Sequence, residues 1–338
     1  MIEIFLSSLT PMLTLFLFMT IGFILIKTKI LPDSSSKVLA KLLTFAVCPA
    51  LNLASMSKNF NVKYIGTYAS FIILTFICMI IAVFLATFLA RLFVKDKLNY
   101  DRSVYRYALT FGNYGYVGTP LILALFGMEG YAFFSFLTLP CAIIIYTWGI
   151  GILIPKEEKQ STKQIIKNLL NLPTLALLLG MLIGITGLGE ILYTTPSLVF
   201  ITNALADLGS CMAPIAMLLA GITVARYDFK KMLTNKKVYV ASIFRLILIP
   251  CLLISLAYGL ILLANIIGIN LDYTYLFLFF FIIATPLGMN TIVFPEAFGG
   301  DPSTGASLTL ISHLISVLTI PLMYALLSVL FGPAPIFI

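Results

Sequence analysis

Two stretches of this chain carry residue types that could hold a ligand inside an apolar protein. One is Phe111-Gly112-Asn113-Tyr114-Gly115-Tyr116-Val117-Gly118-Thr119-Pro120; the other is Thr285-Pro286-Leu287-Gly288-Met289-Asn290-Thr291-Ile292-Val293-Phe294-Pro295. Each places glycine, an asparagine and proline inside a run otherwise apolar enough to be one helix. Proline removes a backbone donor and clashes with the preceding turn. Glycine in a helix interior costs roughly 1 kcal/mol against alanine. A helix broken there starts again with unpaired N–H groups and a positive partial charge, which favours an anion such as a carboxylate. The amides of Asn113 and Asn290 can donate to a carboxylate, accept from a cation, or merely cap the freed backbone.

Ionisable residues inside apolar segments are few and expensive. Asp207, Glu296 and His313, the chain's sole histidine, are candidates for carrying a coupled proton. For Asp207 and Glu296 the alternative is a partly exposed position or a bond to a helix end. Arg245 is a candidate to pair with an anion, or else snorkels to the interface. The five cysteines, Cys48, Cys78, Cys141, Cys211 and Cys251, form no close pairs, which argues for packing over disulfides or a metal cluster. There is no Walker A motif, no His-Glu-x-x-His and no Gly-x-Ser-x-Gly, so ATP-driven and hydrolytic chemistry lack support, and no cofactor is expected.

The elements that must position these residues are membrane helices. The chain has 338 residues, is 61% hydrophobic and only 10% charged, and its mean hydropathy is +1.09. That composition excludes a soluble domain and predicts an all-α integral membrane protein, with the lipid bilayer as its main partner. In a soluble chain a net charge of +8 would suggest nucleic acid; here basic residues mark cytoplasmic loops, and no nucleic-acid binding is expected. The N-terminus does not read as a secretory signal, since Glu3 stands in place of a basic n-region and the first apolar run is long enough to span.

With about 20 apolar residues per span, ten helices are expected, over residues 4–26, 36–56, 64–93, 104–126, 130–153, 171–188, 197–225, 238–266, 273–298 and 303–330. Residues 154–170 form a polar linker with Lys156, Glu157, Glu158, Lys159, Lys163 and Lys167. Eighteen of the 21 basic residues fall in alternate loops, while the others hold only Lys58 and Lys63, with Arg245 left over. Basic loops face the cytoplasm, so both termini are expected outside a cell membrane. Trp148 and Tyr146 read as an interfacial anchor, and the run Leu276-Phe281 as lipid-facing or packing surface.

Ten spans divide at the linker into a first repeat, 1–153, and a second, 171–338. An odd count per repeat inverts the second. The correspondences are ordered: Pro49 with Pro214, Asn113–Pro120 with Asn290–Pro295, Phe126-Gly127 with Phe298-Gly299, and Pro140 with Pro321. Two broken helices at matching places in inverted halves point to a transporter's binding site near the midplane, with the fourth and ninth spans crossing.

Three segments resemble the auxin efflux carrier family, which includes plant auxin exporters and bacterial permeases assigned to malate or malonate. They are Phe45-Ala46-Val47-Cys48-Pro49-Ala50-Leu51, Gly112 through Pro120, and Asn290 through Pro295. The short linker is similar to bacterial members rather than to plant members with a long cytoplasmic loop. The resemblance implies a sodium/proton antiporter-like fold, with a scaffold of spans 1, 2, 6 and 7 and a transport domain of spans 3–5 and 8–10. It further implies a homodimer and elevator-type alternating access. By that resemblance the substrate carboxylate is held by Asn113, Gly115, Gly118, Thr119, Pro120, Asn290, Thr291 and Pro295.

The expected function is therefore secondary transport of small organic anions, with H+ or Na+ as a possible coupling ion. A sodium/proton antiporter would place carboxylates at the crossing, where asparagines stand. A membrane-embedded enzyme or receptor would need a nucleophile, a metal constellation or a large extramembrane domain.

Overall fold

In the computed structural model, residues 2–62, 65–96, 99–153, 161–227, 232–298 and 300–332 are described, without the side chains of 296–298. Glu296, the linker residues Lys156, Glu157, Glu158 and Lys159, and the loop lysine Lys63 thus lie outside the described side chains or residues.

The described chain is all-helical: α1 (Ile2–Lys27), α2 (Ser35–Asn59), α3 (Ile65–Phe93), α4 (Tyr100–Thr110), α5 (Tyr114–Leu153), α6 (Thr162–Leu169), α7 (Leu172–Ile185), α8 (Leu188–Thr194), α9 (Val199–Ala225), α10 (Lys236–Ile266), α11 (Thr274–Ile283), α12 (Asn290–Phe298) and α13 (Ser303–Phe331). Among the described residues, α1, α2, α3, α5, α9, α10 and α13 are each long and apolar enough to cross a membrane. The bent pair α6 and α7, at 53°, makes an eighth if taken as one span. The C-terminal part of the expected linker 154–170 is an amphipathic helix, α6, capped by Ser161, whose Oγ accepts from the Gln164 N–H.

Local sequence explains the shape of these helices. Wide π-turns at Leu43–Val47, Tyr114–Gly118 and Phe244–Leu248 each run directly into a segment with proline in its first two positions: Pro49, Pro120 and Pro250. A proline cannot return an N–H to the carbonyl four residues back, and the backbone widens ahead of it. Gly127 sits at φ 64° and ψ −163° inside α5, a conformation that favours glycine. The chain bends there without a loop, at the boundary expected between spans 104–126 and 130–153. A second interruption lies earlier, at residues 111–113, inside the first of these expected spans.

Small residues bring backbones together, as expected of helix packing in lipid. A Cβ on Gly22 of α1 would strike the Leu218 backbone, and one on Gly221 of α9 the Met19 backbone. Gly180 and Gly184 of α7 bear likewise on α2 at Met56 and Phe60. Large apolar side chains remain exposed along α1, α3, α7, α10 and α13, among them Leu17, Phe84, Leu182, Leu263 and Leu322. Continuous exposed apolar surface of this extent suits contact with acyl chains. The phenylalanine-rich run goes the other way: Leu276 to Phe281 are all buried, so it is packing surface.

Candidate functional site

Both motif stretches are broken helices, and the breaks meet. α4 ends at Thr110 and α5 starts at Tyr114; α11 ends at Ile283 and α12 starts at Asn290. Between them, Gly112 and Leu287 form an isolated antiparallel bridge. The Asn113 N–H donates to the Pro286 carbonyl at 2.6 Å, and the Leu287 N–H to Ser312 Oγ at 3.0 Å. Freed backbone groups at membrane depth are thus paired with each other and with α13. Glycine is required at 112 by proximity: a Cβ there would meet the Thr285 hydroxyl and backbone and the Arg245 guanidinium.

On one side of this crossing lies a cavity of about 350 Å³, within the range of small-ligand sites. Tyr114, Gly115 and Tyr116 line it from the start of α5, and Gly288, Met289 and Asn290 from the start of α12. The backbone N–H groups of Tyr114, Gly115, Tyr116, Met289 and Asn290 have no hydrogen-bond partner among the described residues, while that of Gly288 belongs to the bridge. Among the described residues, no acidic or basic side chain lines the cavity. Tyr131, Phe134 and Tyr146 supply an aromatic wall, and Asn52 a polar edge. Asn52 is fixed by donating to the Pro173 carbonyl at 2.8 Å and accepting from the Tyr131 hydroxyl at 2.6 Å.

On the other side the charge is already balanced. Arg245 is wholly buried in α10. Its Nη1 donates to the Leu109 and Thr110 carbonyls at 3.4 Å, and its Nη2 to the Ile282 carbonyl at 3.2 Å. Those carbonyls end α4 and α11, the negative poles of both interrupted helices. Arg245 does not line the cavity and does not reach the interface; it stands behind Gly112, neutralising two helix ends. Its Nε has no partner among the described residues.

The structure distributes the other expected site residues as follows. Asn113, Gly115, Thr119 and Asn290 line the cavity. Asn113 Nδ2 donates to His313 Nε2 at 3.2 Å, and His313 Nδ1 to the Thr309 carbonyl at 2.7 Å. Asn290 Nδ2 donates to the Tyr107 hydroxyl at 2.8 Å. Gly118 and Pro120 pack away from the cavity, Gly118 against the Phe281 carbonyl. Thr291 is buried and donates to the Gly288 carbonyl at 3.0 Å, tightening the start of α12. Pro295 lines a second, larger cavity of about 730 Å³ with Lys37 and Arg226, and the two cavities share Thr44, Tyr116, Met289 and Asn290. Asp207 is exposed on α9, far from these contacts in its hydrogen bonding: its backbone carbonyl accepts from Ser210 Oγ. The Glu296 side chain is outside the description.

Trp148, expected as an interfacial anchor, also makes contacts at the first break. It is half-buried, with its ring 6.1 Å from Phe111 and the Arg106 guanidinium 5.4 Å over it. Its neighbours belong to the first break, so it packs the end of α4. Tyr107 and Asn52 enter the site from outside the two motif stretches. Asn52, four residues after Cys48 in an apolar span, had a legible signal; Tyr107 had none, because a tyrosine in a helix reads equally as packing.

Comparison with known proteins agrees with this architecture. A family model described as membrane transport protein matches residues 7–324. An uncharacterized transporter of Methanocaldococcus jannaschii is 27% identical over 231 residues, covering 68% of this chain and 72% of the relative. The match runs through both interrupted segments and nearly the whole of the helical body, and the chain belongs to this family of membrane transporters, the auxin efflux carrier family.

Proposed function

We propose that the chain is a secondary carrier of small organic anions, with the substrate carboxylate seated at the crossing of the two broken helices. The observation that carries this reading is the cavity wall itself. Two helix starts, from opposite halves of the sequence, turn unpaired N–H groups toward one uncharged cavity. A helix start adjoining a carboxylate contributes up to roughly 2 kcal/mol in a partly buried setting, and two act together here. Asn113 and Asn290 add donors, and the aromatic wall accommodates an apolar acid body. Asparagines stand at both helix starts of the crossing, where a cation exchanger would place carboxylates. Malate, malonate and auxin-like indole acids are the substrate classes that fit.

In this reading the interrupted pairs α4 with the first part of α5, and α11 with α12, each count as a broken span. The remainder of α5 is another, which gives ten spans in two inverted repeats, 1–153 and 171–338, joined by the linker 154–170. Spans 1, 2, 6 and 7 serve as scaffold of a homodimer, and spans 3–5 and 8–10 move as an elevator carrying the crossing. The glycine contacts between α1 and α9, and between α2 and α7, support the scaffold grouping. The basic cavity with Lys37 and Arg226 is then the cytoplasmic vestibule in a cell membrane, with both termini outside, and its charge attracts anions toward Asn290.

The test is uptake of labelled malonate, malate and an indole carboxylate into proteoliposomes, with and without pH and sodium gradients. At least one acid is taken up, and Asn113→Ala and Asn290→Ala each lower its uptake at least about tenfold, the loss of one charge-assisted hydrogen bond. Normal uptake by both variants contradicts the assignment.

A further inference from the structure

We infer that His313 is the proton carrier of the transport cycle, acting through the orientation of the Asn113 amide; the inference rests on the carboxylate reading above. His313 Nδ1 lies 2.7 Å from the Thr309 carbonyl, an atom that can only accept, so Nδ1 carries a hydrogen. Its Nε2 lies 3.2 Å from Asn113 Nδ2, which can only donate. The ring drawn by these contacts is the neutral Nδ1–H tautomer, its Nε2 lone pair filled by one Asn113 N–H. The Asn113 oxygen takes no partner among the described residues and is not sealed from the cavity that Asn113 lines. In this state the amide turns an acceptor toward the position proposed for a carboxylate.

Adding a proton reverses the arrangement. A proton from water binds His313 Nε2, and both ring nitrogens become donors. The Asn113 amide can then pair with Nε2–H only through Oδ1, so it rotates half a turn about its terminal torsion. Both N–H bonds of Nδ2 now point into the cavity and donate to the carboxylate. The arriving negative charge in turn stabilises the imidazolium. Proton and anion therefore bind cooperatively, each raising the affinity for the other by the same factor. One proton travels with each carboxylate, and its return to water on the far side restores the neutral tautomer and weakens the grip on the anion.

Among the described side chains, the surroundings of His313 are as follows. The side chains about it from α1, α5 and α9 are Met12, Leu15, Phe16, Met19, Val117 and Met217, none of which titrates. Among the other helices packed on α13, α10 contributes Arg245, whose guanidinium is engaged by carbonyls. α4 contributes Asp101, bonded to Thr304 near the start of α13, together with Arg102 and Arg106, and Arg102 donates to the Lys95 carbonyl. α11 contributes Tyr275, paired with the Thr75 hydroxyl. α12 contributes Glu296, whose side chain is not described.

The experiment is labelled malonate uptake into proteoliposomes of the full chain, compared between wild type and His313→Gln over about pH 6.5 to 8, where histidine ordinarily titrates and malonate stays mainly dianionic. Glutamine can still bond Asn113 but takes up no proton. Wild-type uptake at subsaturating malonate rises on acidification, by at most about tenfold per pH unit for one linked proton. The variant exchanges malonate at a rate independent of pH and loses accumulation driven by a pH gradient. A variant that keeps the wild-type pH profile overturns the inference. If the variant does not fold, an entrapped pH dye in wild-type vesicles decides: proton entry with malonate supports it, and malonate entry without protons overturns it. A wild type that carries no carboxylate at all defeats the underlying reading as well, and is distinguished by failing before any variant is compared.

Discussion

The Asn290 side-chain amide donates to the Tyr107 hydroxyl at 2.8 Å, tying the first residue of one half-helix to the body of the other interrupted helix. The contact spans the two halves of the sequence and fixes which way the Asn290 amide faces. Tyr107→Phe removes the acceptor while keeping the ring against Phe111 and Phe294. It should lower stability by about 1 kcal/mol and raise the KM for the carboxylate several-fold with little change in maximal rate. Thermal unfolding of the detergent-solubilised protein and initial-rate uptake check the two effects.

Arg245 supplies the positive charge at the carbonyl ends of α4 and α11. Removing it leaves buried carbonyls without donors at both ends of the crossing. Arg245→Met should cost about 3 kcal/mol or more and yield little monodisperse protein by size-exclusion chromatography. Arg245→Lys keeps the charge but cannot span three carbonyls with a planar fork, so it should fold with a lowered Tm.

Glycines at the crossing separate packing from binding. Gly112→Ala places a methyl group against the Thr285 backbone and the Arg245 guanidinium, so it should lose folded protein. Gly115→Ala meets nothing within 4 Å, yet its methyl enters the cavity. It should retain the wild-type Tm to within a degree or two and raise the KM. The pair is measured by the same thermal and uptake assays.

Gly127 tests the kink in α5 alone. Any other residue there must adopt φ 64° and ψ −163°, at a cost of about 1–3 kcal/mol, although a Cβ would meet no neighbour. Gly127→Ala should therefore lower the Tm without altering KM. An unchanged Tm would mean that the helix straightens at this point.

Much of this site was legible before any coordinates. Proline and glycine at 112–120 and 285–295 act through local backbone chemistry, so both breaks were readable from residue type. Composition made the membrane setting plain for the same reason. What could not be read was relational. Whether Arg245 faces lipid, a ligand or helix ends depends on where α4 and α11 terminate in space. His313 meets Asn113 across 200 residues of chain, and no spacing rule encodes that contact. The contacts of Trp148 with Phe111 and Arg106 were equally hidden, because an aromatic near a span's end has the same local signature at a lipid interface as beside a broken helix. The change of direction at Gly127 falls where one expected span ends and the next begins, and the glycine's positive φ makes it without a loop.

The most direct test of carboxylate binding at the crossing is the shift in thermal unfolding of the purified protein on adding malonate, compared with malonamide, its uncharged analogue. A ligand at one hundred times its Kd stabilises by about 2.7 kcal/mol, enough to read as several degrees. The account predicts a rise with malonate, none with malonamide, and none with either in Asn113→Ala or Asn290→Ala proteins that otherwise unfold normally. An equal rise with malonate in both variants would contradict it.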